Sequence, residues 1–183
     1  DLPADVPVLP VGVASNLLIR DGGVEGVVIR LGGVLKGVRA EGTTVVAEAG
    51  ALDRSVAVAA AQAGIAGLEF LVGIPGTIGG AVRMNAGAFG GETKDRLVAI
   101  RALDRHGVMH QAEAAALGLD YRHSALPEDW IVVEATFRGE PGEPRAIKAR
   151  MDAIKAERAA ALPLSVATGG STLKNPPGER AWR

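Results

Sequence analysis

The chain contains no cysteine. Disulfides, thiolate metal sites and a cysteine nucleophile are therefore excluded. Aromatic residues make up only 3% of it, too few to build the stacking platforms that single-stranded nucleic acid needs. The formal net charge is -1, which argues against a protein held to nucleic acid by bulk positive charge. No apolar run approaches the roughly 20 residues of a membrane span, and no signal peptide is visible at Asp1. No His, Asp and Glu grouping has metal-ligand spacing, so no metal site is expected. His106 and His110 lie across an expected hairpin turn and read as surface residues. There is no G-x-G-x-x-G after a strand and no P-loop, so any dinucleotide would have to be held by another fold than the Rossmann type.

What remains is a chain of 183 residues, 48% of them hydrophobic, enough for one sizeable domain or two small lobes. Pro7 and Pro10 keep the apolar stretch Val6–Val13 from being a regular central strand. Val24–Leu31 predicts a strand buried on both faces. Val34–Ala40 and Thr43–Ala49 predict a hairpin. Leu52–Ala63 predicts an alanine-rich helix, stopped by Gly64, with Leu52, Val56, Ala59, Ala60 and Ala63 on one face. Further on, Arg96–Asp104, Val108–Ala112 and Trp130–Arg138 predict strands, and Gly139–Pro144 a polar linker. Arg145–Leu162 predicts a helix with Ile147, Met151 and Ile154 at helical spacing. Strands interleaved with helices predict an α+β or mixed α/β class.

The most informative stretch is LEFLVGIPGTIGGAVRMNAGAFGGET, Leu68–Thr93. Flexible linkers rich in glycine are also polar. This one is apolar, so it is expected to be buried, with glycine serving close backbone approach or positive φ. Gly73-Ile74-Pro75-Gly76 predicts a rigid turn. Thr77 is placed to cap a short helix, Ile78–Met84, with free N–H groups at its start. A glycine wall of peptide donors suits a large anionic cofactor; a tightly packed structural crossover is the plainer alternative.

Three further segments can carry chemistry. Gly12–Leu18 is a small-residue turn able to aim N–H groups and the Ser15 and Asn16 side chains at phosphate, or an ordinary Asx or Ser turn. In Asp120-Tyr121-Arg122-His123-Ser124, Arg122 can clamp a carboxylate through two hydrogen bonds, or be a solvated surface arginine. His123 and Ser124 are adjacent and do not face each other as a nucleophilic pair would. In Gly169–Pro176, Ser171 follows two glycines and precedes Lys174 and Asn175; its hydroxyl can approach a substrate, or cap a helix.

Four blocks stand in the order found in the UDP-N-acetylenolpyruvoylglucosamine reductase (MurB) family of peptidoglycan synthesis, which the chain resembles: SNLLIRDGGVEGVVIRL, EFLVGIPGTIGGAVRMNAGAFGGE, YRHS and GGSTLKNPPG. The resemblance implies an α+β FAD-binding domain of the vanillyl-alcohol-oxidase (PCMH) type, with FAD between two α+β lobes. It implies lobes at 1–66 and 67–141, and the start of a substrate-binding lobe at 142–183. By resemblance Gly12, Ser15 and Asn16 hold the FAD pyrophosphate. Gly73, Ile74, Pro75, Gly76, Thr77, Gly79, Gly80, Asn85 and Gly87 then line the flavin.

The implied reaction uses NADPH to reduce FAD, which then reduces the enolpyruvyl group of a UDP-sugar. Ser171 matches the proton donor, and serine, a poor acid in water, needs neighbours that stabilise its alkoxide. Arg122 matches the arginine that polarises the substrate carboxylate. Tyr121, Lys174 and Asn175 fall on the substrate side. The implied setting is cytoplasmic, with a small-molecule partner, no membrane and no nucleic acid, and a monomer at full length.

The first loop, Gly12-Val13-Ala14-Ser15-Asn16, is poorer in glycine than the family pattern, so valine and alanine crowd the pyrophosphate approach. Leu173 stands where an aromatic is common. The abrupt ends are expected to mark a fragment without the family's N-terminal segment or the C-terminal lobe carrying a catalytic glutamate. Two other readings stay open: a same-fold flavin oxidoreductase with another substrate, and a module with no activity.

Overall fold

A computed structural model describes residues 2–3, 5–33 and 35–161. Ser171, Lys174 and Asn175 lie outside the described residues. The first layer is a two-stranded parallel sheet, β1 (Val8–Val11) beside β2 (Val27–Arg30), with Val8 opposite Val27. Next come the hairpin β3 (Val38–Glu41) and β4 (Thr44–Glu48), helix α1 (Asp53–Gln62) and the short β5 (Ile65–Ala66). A 3-10 turn over Glu69–Gly73 leads through Pro75 to α2 (Ile78–Arg83). The hairpin β6 (Gly87–Ala88) and β7 (Gly91–Glu92) precedes β8 (Leu97–Leu103) and β9 (Met109–Glu113). The chain then runs through β10 (Ile131–Arg138) and β11 (Glu140–Pro141) into α3 (Pro144–Ala161).

The main sheet has five strands in the order β3-β4-β10-β8-β9, all antiparallel. Alternation along β4 buries Val45 and Ala47. On β10 the alternation skips a residue: Val132 is buried, then Ala135 and Phe137. The register against β8 shifts between Val132 and Glu134, and an extra residue in one strand moves the following side chains to the other face. Val45, Ala47, Ile100, Ala135 and Phe137 join Val56, Ala60, Leu71, Ile78 and Val82 in one core. Its many alanines let helix and sheet backbones approach closely, so the glycine-rich segment is packed directly on the sheet.

The helices end where their residues dictate. Gly64, at φ +69, terminates α1, its N–H donating to the Ala61 carbonyl; left-handed backbone costs glycine least. Ala57 and Ala61 are buried in α1 where Ala63 was expected. Pro144 opens α3, where its missing N–H is no loss, and the Glu143 carboxylate caps the Ala146 N–H at 2.7 Å. Ile147 and Met151 are buried and Ile154 half-buried, as the spacing predicts.

Three expectations need correction. β2 is not buried on both faces: it pairs only with β1, and Val28 is 50% exposed. The Gly139–Pro144 linker is pinned, since β11 pairs with β5. The boundary at 66 cuts through the main sheet, because β4, N-terminal to it, pairs with β10, C-terminal to it. Antiparallel pairing here joins strands distant in sequence, so the lobes implied by the resemblance are not separated by a single cut in the chain.

Candidate flavin site

The two side-chain-poor turns meet. A Cβ placed on Gly12 would lie 2.1 Å from the Thr77 Oγ1, so only a glycine lets the first loop rest on the second. The N–H groups of Val13, Ala14, Ser15 and Asn16 donate to nothing among the described residues. Unclaimed peptide donors in a row form a concavity for an anion. Ala14 sits at φ +55, a conformation that strains a residue with a Cβ.

On the facing turn the helix start differs from expectation. Thr77 occupies the N-cap position with extended backbone, but its hydroxyl makes no cap hydrogen bond. The donors expected to be free are mostly taken: Ile78 N–H donates to the Ala51 carbonyl at 3.0 Å and Gly79 N–H to that of Ala49 at 2.8 Å. The core-side strand end consumes them because α2 is packed against it. Gly80 is the open position. It is exposed, a Cβ there would meet nothing within 4 Å, and its N–H has no partner among the described residues. Pro75 is exposed and Ile74 half-buried, while Thr77 is buried. The Gly73 carbonyl accepts from Arg158 of α3, and Phe89 covers the Gly73 backbone. Gly87 is exposed in the β6 hairpin.

Behind the second turn lies a residue the sequence reading missed. Asp53, the first residue of α1, is fully buried, and neither carboxylate oxygen has a hydrogen-bond partner. Burial pushes its pKa up to about 8, against the lowering effect of the nearby Gly76 backbone, which closes no hydrogen bond with the carboxylate. A Cβ on Gly76 would stand 2.8 Å from the Asp53 Oδ2. The signal was there in principle: an acid at the start of an alanine-rich helix, in line with a buried face.

The Arg122 segment is a tight turn. Asp120 and His123 exchange backbone hydrogen bonds at 3.1 and 3.0 Å, leaving Tyr121 and Arg122 at its tip. Arg122 has φ +52, and its guanidinium carbon lies 5.5 Å from the Tyr121 ring centroid. Left-handed backbone in a non-glycine residue marks positions held by their surroundings. Asn85 does not offer its side chain to a ligand. It is 3% exposed, and its amide is bonded to Glu92, Lys94 and Asp120. Nor is His110 a plain surface residue. Its Nε2 lies 2.7 Å from the Asp104 carboxylate, and its ring stacks on Trp130 at 4.5 Å.

These features fit a dinucleotide: two abutting turns, one with four unclaimed N–H groups and the other with an open glycine face. Residues 3–113 match the family profile described as an FAD binding domain. The chain belongs to the FAD-binding domain family. Its relatives carry the name UDP-N-acetylenolpyruvoylglucosamine reductase. One, from Azorhizobium caulinodans, is 57% identical over 182 residues, covering 100% of this chain and 59% of its own length. The crystal structure of the reductase (MurB) from Thermus caldophilus matches with a TM-score of 0.86 at 36% identity, covering 97% of this chain and 65% of that one. A glucooligosaccharide oxidase from Acremonium strictum shares the fold at 18% identity, with a TM-score of 0.57 over 75% of this chain and 31% of its own. The α+β flavin-binding architecture expected from sequence is thus the one observed, and the chain spans 59% of the Azorhizobium relative's length.

Proposed function

We propose that this FAD-binding domain serves an NADPH-dependent reductase that converts the enolpyruvyl ether of a UDP-N-acetylglucosamine to its lactyl ether, UDP-N-acetylmuramate, in the cytoplasmic stage of cell-wall synthesis. The observation that carries the reading is the contact of Gly12 with Thr77, which sets the unclaimed N–H groups of the first turn beside the second, glycine-rich one. Bound FAD supplies the relay of hydride from NADPH to the enolpyruvyl double bond. The peptide N–H groups of Val13–Asn16 hold the pyrophosphate, with the Ser15 and Asn16 side chains beside them. The Gly73–Gly80 segment supplies the apolar wall and keeps water from the ring.

Arg122 takes the substrate carboxylate in two charge-assisted hydrogen bonds and stabilises the negative charge that develops there. Tyr121 lies against that guanidinium and restricts it. Ser171 holds the proton that completes the reduced carbon, and Lys174 and Asn175 take the UDP side. A second reading is a flavin-holding module that turns nothing over by itself.

The test is spectroscopic. The purified chain, supplied with FAD, is expected to keep a flavin absorption through gel filtration. NADPH should bleach it, and the UDP-sugar enolpyruvyl ether should restore it without oxygen. Bleaching with no restoration favours the second reading. A chain that retains no flavin overturns both.

A further inference from the structure

Asn85 occupies the end of α2. Its N–H donates to the Val82 carbonyl at 3.3 Å, and that of Ala86 to the Ala81 carbonyl at 2.8 Å. That pair of bonds closes a helix in a Schellman motif, whose left-handed residue is usually glycine. Here it is Asn85 at φ +42. Glycine would close the helix at lower strain, so the side chain must have a use.

The amide shows it. Nδ2 donates to the Glu92 carboxylate at 2.9 Å and to the Asp120 carbonyl at 3.1 Å, while Oδ1 accepts the Lys94 N–H at 2.9 Å. Two acceptors on one side and a donor on the other admit only this orientation of the amide. The Asp120 carbonyl is the same one that accepts the His123 N–H across the turn. Three more bonds fasten that segment to α2: Ser124 Oγ donates to the Arg83 carbonyl at 2.7 Å, and the Arg83 guanidinium donates to the carbonyls of Leu126 and Pro127.

We infer that Asn85 is a positioning residue that hangs the Asp120–His123 turn, and Arg122 with it, from the end of α2. The other end of α2 begins at Thr77, on the flavin turn. A helix of this length spans ~9 Å, so α2 is a strut that fixes Arg122 relative to the flavin face. The inference rests on the substrate-clamping reading of Arg122 for its functional meaning, but its geometry can be tested separately.

Two variants of the FAD-loaded chain test it by amide hydrogen exchange. Asn85→Gly keeps the helix closure and removes the amide. Asn85→Asp keeps the acceptor for Lys94 and removes both donors. In both, the His123 amide is expected to exchange about tenfold faster or more, with the Ala135 and Phe137 amides of β10 shifting by less than about twofold. FAD affinity, read by flavin fluorescence, should stay within about threefold. Acidification should return part of the His123 protection in Asn85→Asp, whose protonated carboxyl can donate again, and none in Asn85→Gly. Unchanged His123 exchange in both variants, or equal acceleration in β10, overturns the inference. Arg122→Ala separates the two claims. If turnover of the UDP-sugar survives it, the reading of Arg122 falls while the exchange result still decides Asn85.

Discussion

At the scale of single residues, two buried acids pull stability in opposite directions with pH. Neither Asp53 carboxylate oxygen has a hydrogen-bond partner, so burial outweighs the opposing Gly76 backbone and lifts its pKa from 3.8 to about 8. The native state then holds a proton that the unfolded chain has released. Stability therefore falls as pH rises from about 4 to about 8, and levels off above. Asp53→Asn removes that slope, and urea titrations should find the variant more stable than the parent at pH 8 by ~1–3 kcal/mol. A parent whose stability does not decline over that window refutes the buried neutral acid. Glu69 behaves the other way. Burial pushes its pKa up, but hydrogen bonds from its own peptide, from Arg150 and from the Gly67 N–H outweigh this and hold it below the usual 4.5. Its contribution is complete above that value and is lost as pH falls through the lowered one. Glu69→Gln should flatten the acid limb of the stability curve and leave the neutral region's slope alone. Ala14 is a third case. At φ +55 it stands where glycine is at ease, and the sequence already marked this loop as poor in glycine. Ala14→Gly should stabilise the chain by about 0.5–1 kcal/mol through relief of strain and should not weaken FAD, which calorimetry can check.

At the scale of elements, what was legible followed from periodicity and punctuation. α3 was readable because Ile147, Met151 and Ile154 repeat at helical spacing, although Pro144, read as linker, is its first residue. β10 was readable from its alternation, though the skipped residue at Val133 was not, since two adjacent valines there read equally well as a strand buried on both faces. The donors at the start of α2 were misread for a related reason. Sequence says that a helix begins at Ile78, but only the fold shows the Ala49 and Ala51 carbonyls arriving to take two of them. Asp53 was missed because an acid in a first helical turn usually serves the helix dipole from the surface. The two turns themselves were found because both are written in small residues. Their closeness makes a sharp prediction. Gly76→Val drives a branched side chain toward the Asp53 carboxylate, 2.8 Å from its Cβ position. The turn must move, at a cost of ~1–3 kcal/mol, and flavin retained through gel filtration should drop well below stoichiometric. Gly80→Ala projects into open space instead; any flavin loss there, with thermal stability intact, would mark the surface the ring covers.

At the scale of the whole molecule, the main sheet ties residues distant in sequence into one support. β3 and β4 carry the chain up to α1 and Asp53; β10 carries it on to α3, whose Arg158 and Arg150 grip the Gly73 carbonyl and Glu69. The small β1–β2 layer is braced from outside the site, where Arg105 donates to the Pro3 and Val6 carbonyls and the Leu31 backbone packs on Gly50. Leu17, Leu18 and Ile19 beside it are 46%, 91% and 54% exposed. Its connection to the rest near the site is the seat of Gly12 on Thr77. A ligand that spans both turns therefore contributes its binding energy to the weaker layer first. At one hundred times its dissociation constant, FAD should add about 2.7 kcal/mol to any unfolding step that releases it. Amide exchange should show this unevenly: protection along Val8–Val11 and Val27–Arg30 should rise with FAD concentration, while β10, opening only in global unfolding, should follow global stability. Gly12→Val, whose side chain would collide with Thr77, should abolish the uneven response by separating the layers. If FAD instead protects both layers equally at every concentration, the small sheet is already held as firmly as the large one. The contact of the two turns would then be a consequence of the fold and no longer the joint that flavin closes.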